Sequence, residues 1–444
     1  VRVERIALAR SAPEVLRCVA AATSRLGLPS PAALIGDWFG SRAVIAPSVA
    51  LEPVDPIGVF AVDPGSASEA VGGGWFGHLS YPDPGRDGAA ARIPVAAGGW
   101  SDAVLRQDGS GTWWYESLSG DQAPTWLTDA LTDDVPMSAC HIEWGQADRD
   151  VHRAGVLACL EAIAAGEVYQ ACVCTQMVGT VTGSPVDFFA DNVARTAPAR
   201  AAFVAGDWGA VASLSPELFL SRVGDRLVSS PIKGTLPLDE PPSALRESAK
   251  DVAENIMIVD LVRNDLGRVA LTGSVTVPEL LVVRRAPGVW HLVSTVAARV
   301  DLDVPMSTIL DATFPPASVT GTPKGRARRL LDTWEPSRRG IYCGTVGLAS
   351  PIAGTELNVA IRTVEFDTAG RAVLGVGGGI TADSDPDAEW RECLHKAAPI
   401  VAHARSETAA AHARSETAAA HARSETAVGA SLTRAQDRVV ELTP

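Results

Sequence analysis

Two stretches of the chain carry carboxylates at helical spacing. In Ser248–Leu266 (SAKDVAENIMIVDLVRNDL), Asp251 and Glu254 fall at i, i+3 and share a face, with Ile256, Val259 and Val262 as an apolar stripe beside them. In 385–400 (DPDAEWRECLHKAAPI), Glu389, Glu392 and Lys396 fall at i, i+3, i+7, with Asp385 suited to an N-cap and Pro386 to the first helical position. Two helices that present carboxylates to one point can clamp an oxygen-seeking ion such as Mg²⁺, with water filling the remaining positions. Two solvated helix faces would show the same spacing.

Three further positions offer chemistry. Lys233 in PIKGT follows an apolar run, a setting in which a lysine can be desolvated, lose its proton and act as a nucleophile. A surface lysine would read the same way. Glu217 in SPEL leads a run of apolar neighbours, and burial there would raise its pKa and suit it to general acid work. Gly377-Gly378-Gly379 stands between a strand and the last helix, where missing side chains let backbone amides approach an anion. It does not fit GxGxxG, and Gly321-Thr322-Pro323-Lys324 lacks the spacing of a phosphate loop.

The elements that must hold these residues are mixed. Residues 1–144 read as β-rich and turn-rich, with no evident chemistry of their own, and as part of the same large domain as the rest. Beyond them the pattern predicts a helix at 147–166 with Val156, Leu157, Leu160 and Ile163 on one stripe, and a strand at 168–178. A helix at 184–197, strands through 200–238 and a long helix at 244–266 follow. Next come a helix from Lys324, strands at 341–349, 356–367 and 371–380, and a last helix from Pro386 to about His403. Helices and strands that mix without strict alternation indicate an α+β fold. Residues 145–402 carry every candidate group. His-Ala-Arg-Ser-Glu-Thr-Ala then recurs from His403, His412 and His421, and residues 403–444 read as a solvated helix or disordered tail.

Composition narrows the class. Lys and Arg number 38 against 52 Asp and Glu, a net charge of −14, which argues against nucleic acid as a partner. No apolar run reaches the ~18 residues of a membrane span. The first twenty residues are charged throughout and lack a signal-peptide core. Seven cysteines, an odd number without a CxxC pair, point to reduced thiols and a cytoplasmic setting. Cys172 and Cys174 alternate on one strand face, where packing explains them better than zinc.

Taken in order, GEVYQ (166–170), SPELFL (215–220), PIKGT (231–235), AENIMIVDLVRNDLGRV (253–269), HLVS (291–294), SVTGTPKGRA (318–327), RRGIYCGTVG (338–347), NVAIRT (358–363) and GGGITADSDPDAEWRE (377–392) resemble the chorismate-utilising enzymes. That family includes anthranilate synthase component I, aminodeoxychorismate synthase component I, isochorismate synthase and salicylate synthase. The resemblance covers about 145–400 strongly and 1–144 loosely. It implies two stacked antiparallel sheets flanked by helices, chorismate as substrate, and Mg²⁺ as cofactor. Glu254 and Glu392 match the direct metal ligands, and Asp251 and Glu389 match the holders of metal-bound water. Arg362, Tyr342, Gly379 and Lys396 match positions that hold the substrate carboxylates, and Ser318 a hydroxyl beside the substrate. His291 matches the active-site histidine and Glu217 the acid that protonates the departing ring hydroxyl.

Two positions discriminate among the branches. Members that add water to the ring carry Lys where this chain has Gln170, so isochorismate and salicylate formation are not expected. Anthranilate synthases usually read PIAGT where this chain has Lys233, and aminodeoxychorismate synthases carry the lysine. The resemblance therefore implies amination of chorismate to 4-amino-4-deoxychorismate, the precursor of para-aminobenzoate and folate, with Lys233 as covalent catalyst. The ammonia would come from a separate glutaminase (amidotransferase) subunit. Anthranilate formation is the alternative within the family. A non-catalytic protein that binds a chorismate-like ligand or a glutaminase is the alternative outside it. Ala317-Ser318 and Gly321-Thr322-Pro323-Lys324 depart from the usual Gly-Ser/Thr and GAPK, and the added β-branched side chain narrows that part of the site.

Overall fold

Short antiparallel strands build most of the chain. The protein was analysed as a computed structural model that describes residues 1–66, 68–83, 91–133 and 139–401. The tandem repeat and the tail reading attached to it lie outside the described residues. The chain divides into Val1–Ala397 and Ala398–Pro444. Of the second unit, residues 398–401 are described, as the last turn of a helix over 386–401.

One sheet runs through Arg2–Ile6, Trp113–Ser117, Ala103–Gln107, Ser41–Ala46, Ala32–Trp38, Arg200–Gly206, Gly209–Ser215, Thr363–Asp367, Arg371–Ile380, Gln170–Thr182 and Gly321–Thr322. The other runs through Ile232–Pro237, Val289–Arg299, Arg226–Ser230, Leu218–Val223, Gly354–Asn358, Thr345–Ser350, Gly74–Leu79, Ala96–Ser101 and Glu52–Pro53. Their apolar faces share two clusters. Leu34, Val44 and Val204 of the first sheet meet Phe76, Val346 and Leu348 of the second. Cys172 and Cys174 meet Phe219, Leu220 and Leu357, and Ile258 and Val262 join them from a helix. Each large apolar side chain buried in this way contributes roughly 1.5–3 kcal/mol. The two thiols do share a face, with sulfurs 4.0 Å apart, and all seven cysteines are free and buried.

The helices follow their capping signals. Asp148 caps Arg149–Ala164 by accepting from the amides of Asp150 and Val151, and Gly166 leaves it at φ +73°. The buried stripe is His152, Val156, Cys159 and Ala162, so Leu157, 43% exposed, falls off the predicted face. It sits ~100° around the helix from Val156. The long helix expected at 244–266 is two pieces, Ala244–Glu247 and Ala249–Gly267. Ser248 takes extended backbone between them and caps the second piece from its hydroxyl to the Asp251 amide. Within that piece Ile258, Val259 and Val262 face the core, while Ile256 is 47% exposed, contrary to the predicted stripe.

The strand expected at 356–367 also divides. Gly354–Asn358 belongs to one sheet and Thr363–Asp367 to the other, and the chain crosses between them with Arg362 at φ +52°. A second crossing joins Gly209–Ser215 to Leu218–Val223 and carries Glu217. Backbone hydrogen bonds tie the two together: the Val359 amide donates to the Glu217 carbonyl at 3.0 Å, and the Leu214 amide to the Arg362 carbonyl at 3.0 Å.

Candidate active site

Lys233 is aimed by a defect in its ladder. Ile232 pairs with Val293 and Thr235 with His291, so the register shifts between them and the intervening residues bulge. Gly234 makes the bulge possible: its φ is +91°, and a Cβ there would stand 3.1 Å from Cβ of Asp251. The Lys233 ammonium is thereby carried to Gly379, 3.3 Å from where a Cβ on that glycine would be. Gln170 Oε1 stands 3.2 Å and Glu254 Oε2 3.8 Å from the same point. Gln170 is 1% exposed, and its amide nitrogen has no hydrogen-bond partner. An ammonium, the oxygen of a side-chain amide and a carboxylate thus converge over one bare glycine.

Gly378 faces the last helix. Glu389 Oε2, Lys396 Nζ and Glu392 Oε1 lie 3.0, 3.9 and 4.0 Å from its Cβ position. Asp385 caps that helix as expected, accepting from the Ala388 amide at 2.8 Å. Lys396 donates to the Gly377 carbonyl at 2.9 Å and pairs with Glu392 at 2.7 Å. Burial alone would raise the Glu392 carboxyl, but Lys396 overrides it and the net shift is downward. Glu254 is raised, by burial first and then by the neighbouring Asp251 and Glu392 carboxylates, against the pull of Lys233 and Lys250.

Sequence reasoning missed three members of this constellation. Lys250 lies 3.4 Å from Glu389 and 4.0 Å from Glu254. Its i, i+4 relation to Glu254 was legible, but its reach to a helix 139 residues away was not. Ser384 donates to Glu389 Oε1 at 2.7 Å, and the Thr235 hydroxyl meets His291 Nδ1 at 2.9 Å. Neither carries a spacing signal.

Among the described residues, no three acids, histidines or cysteines stand ready as a ligand set for a metal. The residues nevertheless fit a hard divalent ion. Glu254 Oε1 and Glu389 Oε2 are buried carboxylate oxygens without a hydrogen-bond partner, and such oxygens suit Mg²⁺.

Glu217 is 3% exposed, and burial pushes its carboxyl up to about 7. The Ser318 hydroxyl, Lys233 and Arg362 act in the opposite sense. His291 is held down at about 4 by burial and by Arg362, so its ring is neutral at physiological pH. These five side chains act on one another close to where Glu217 and Arg362 cross between the sheets. Tyr342 lies further back: its ring packs on Gly375, four residues along the strand from Gly379, and burial raises its phenol. No hydrogen bond links its hydroxyl to the other groups among the described residues. A cavity of about 780 Å³ beside the site is lined by Tyr169, Leu261, Asp265 and Lys324. Neither Lys233 nor any of the four clustered acids lines it, so converging charge rather than volume marks the reactive point.

Residues 116–402 match the family described as chorismate binding enzyme. The chain belongs to this family. Aminodeoxychorismate synthase component 1 of Salmonella typhimurium is 39% identical over 295 residues, 65% of this chain and 63% of the relative. Anthranilate synthase component 1 of Arthrobacter globiformis is 37% identical over 252 residues, 54% of this chain and 47% of that relative. This chorismate binding enzyme therefore spans less than two thirds of the length of either. Identities of 39% and 37% do not separate the two branches, so the separation must come from site residues. Among solved structures, anthranilate synthase component I of Streptococcus pneumoniae superposes with a TM-score of 0.66 at 24% identity. It covers 84% of this chain and 90% of that one, which establishes the shared fold of two antiparallel sheets with flanking helices.

Proposed function

We propose that this chain aminates chorismate at ring carbon 4, giving 4-amino-4-deoxychorismate, the precursor of para-aminobenzoate and folate. The observation that carries the reading is the position of Lys233. Its ammonium meets Gln170 and Glu254 over Gly379, where a branch reading PIAGT would have no side-chain nitrogen.

Each residue then takes a role that its surroundings support. Glu217, with a carboxyl at about 7, holds a proton near neutrality and delivers it to the departing C4 hydroxyl. Lys233, in its neutral form, forms a bond to ring C2 as the two conjugated ring double bonds shift and the C4–O bond breaks. Ammonia then bonds to C4, the double bonds return, and the Lys233–C2 bond breaks. A covalent intermediate replaces one difficult displacement with two easier ones. Gln170, with no basic lone pair, leaves water at the ring unactivated, which disfavours isochorismate. Arg362, Lys396 and the Gly379 amide receive the substrate carboxylates, with the Ser318 hydroxyl beside the substrate and Tyr342 set back behind them against Gly375. His291 stays neutral, its ring oriented by Thr235.

Glu254 and Glu392 would hold Mg²⁺ directly, with Asp251 and Glu389 through water. When bound, the ion neutralises a carboxylate of the substrate. The nitrogen would come from ammonia delivered by a glutaminase subunit, and all seven cysteines being buried supports a nucleophile cysteine outside this chain. Net acidity supports a partner other than nucleic acid, and among the described residues no helix is long and apolar enough to cross a membrane.

The test is the mass spectrum of the product from chorismate, ammonium and Mg²⁺. Aminodeoxychorismate retains the enolpyruvyl group. An anthranilate mass would move the chain to the other branch, and unchanged chorismate would make it a binding protein.

A further inference from the structure

Lys250 has no part in the chemistry just described, yet it occupies the middle of the acidic cluster. It sits on the first turn of the helix Ala249–Gly267, and its ammonium spans two elements, reaching Glu389 at 3.4 Å and Glu254 at 4.0 Å. Both contacts are long for a charge-assisted hydrogen bond, which runs to about 2.7–2.9 Å. Each carboxylate also keeps an oxygen without a hydrogen-bond partner: Oε1 of Glu254, which Lys250 reaches only as the 4.0 Å ion pair, and Oε2 of Glu389. Glu389 is 2% exposed, so its free oxygen cannot turn to water. Lys250 therefore neutralises the pair without satisfying it. Lys396 serves Glu392 differently, in a 2.7 Å contact that its bond to the Gly377 carbonyl anchors. The Lys250 side chain is 49% exposed, and its four-carbon stem can carry the ammonium into solvent without moving the helix.

We infer that Lys250 is a resident counter-cation of the metal-free site, which holds Glu254 and Glu389 together and is displaced when a divalent ion binds. Lys250 then sets how readily the site takes metal. Its positive charge opposes the arriving ion until it leaves, so a chain without that charge binds the ion more tightly. The same loss leaves Glu254 and Glu389 uncompensated when metal is absent. The inference rests on reading these carboxylates as the metal site.

The experiment is isothermal titration of Mg²⁺ into the purified full chain, without chorismate or ammonia, for wild type, Lys250→Met, Lys250→Gln and Lys250→Arg. Circular dichroism would confirm the fold of each. Removal of one unit charge a few ångströms from a divalent ion at a half-exposed position should tighten Mg²⁺ binding roughly ten-fold in Lys250→Met and Lys250→Gln. Lys250→Arg, which keeps the charge, should stay within about three-fold of wild type. Thermal melting should show the reverse in chelator: Lys250→Met melts a degree or two below wild type, and Mg²⁺ raises its Tm by more than it raises that of wild type. Mg²⁺ affinities equal in wild type and both neutral variants, or weaker in the neutral variants, would overturn the inference while leaving the metal site intact. No Mg²⁺ binding by any of the four chains would remove the metal reading itself, and the role of Lys250 with it.

Discussion

Gly378 and Gly379 are neighbours on one strand, and alternation points them to opposite sides. The side of Gly379 gathers Lys233, the neutral amide of Gln170 and one oxygen of Glu254. The side of Gly378 gathers Glu389, Glu392 and Lys396, with Lys396 ion-paired to Glu392 and Ser384 donating to Glu389. The first keeps a donor unsatisfied and its lysine without a short partner. The second has its lysine in a 2.7 Å ion pair with Glu392, while Glu389 Oε2 keeps no hydrogen-bond partner. Two points of different charge thus lie one residue apart, separated by a strand end without side chains. Glu254 and Lys250 join them around its edge.

This contrast can be broken most severely at Lys233. Lys233→Ala should lower amination by on the order of 10³, about 4 kcal/mol of barrier, while chorismate affinity changes little. Lys233→Arg should not restore the rate, because a guanidinium stays protonated. Single-turnover assays with ammonium, alongside binding titrations, would show it, and a Lys233→Ala rate near wild type would end the nucleophile assignment.

The carboxylates read as metal ligands, Glu254 from one side and Glu392 from the other, should respond through Mg²⁺. Glu254→Gln and Glu392→Gln should each weaken Mg²⁺ binding ~10–100-fold. Calorimetry reads this directly, and unchanged Mg²⁺ affinity in both variants would place the ion elsewhere.

The glycines sharpen the comparison. In Gly379→Ala the new methyl would stand 3.2–3.3 Å from the far ends of Gln170 and Lys233, which can shift, so the chain should fold but lose roughly 10²-fold in amination. In Gly378→Ala the methyl would meet Glu389 at 3.0 Å, so Mg²⁺ affinity should fall ~10-fold with kcat largely kept at saturating metal. Parallel kcat and Mg²⁺ titration curves decide it: the same defect in both variants would contradict two distinct sides.

Glu217 is read through pH. Its acid form is needed, so amination at constant free ammonia should decline as pH rises through about 7. Its carboxyl titrates near 4.5 when unfolded and about 7 when folded, so the folded chain holds the proton more tightly. The stability this provides is present below about 4.5 and lost as pH rises to about 7. Glu217→Gln should therefore gain on wild type between pH 5 and pH 8, by up to about 3 kcal/mol. A pH-independent difference in melting would mean that the carboxyl is not held protonated.

Much of the site was legible because helical period and strand alternation are local. Glu389, Glu392 and Lys396 share a face by spacing alone, and Asp385 and Pro386 mark where that helix begins. Ordered motifs then assigned Lys233, Glu217 and His291 through resemblance. The same local rules misplaced Leu157 and Ile256, since the apolar stripe drifts around a helix and only the partner surface decides which of two adjacent residues it covers.

The sequence by itself determined which residues are candidates for the site, the start of the last helix and the absence of a basic residue at position 170. The tertiary structure alone decided that one predicted strand at 356–367 is two, one in each sheet, with Arg362 turned left-handed at the crossing and bonded through its backbone to the chain beside Glu217. It alone decided that a bulge at Gly234 delivers Lys233 to Gly379, and that Lys250 stands among acids from two helices. The physical reason is range. Capping and periodicity act within a few residues, whereas a sheet crossing, a register shift and an ion pair across 139 positions are set by which surfaces pack together once the whole chain has folded.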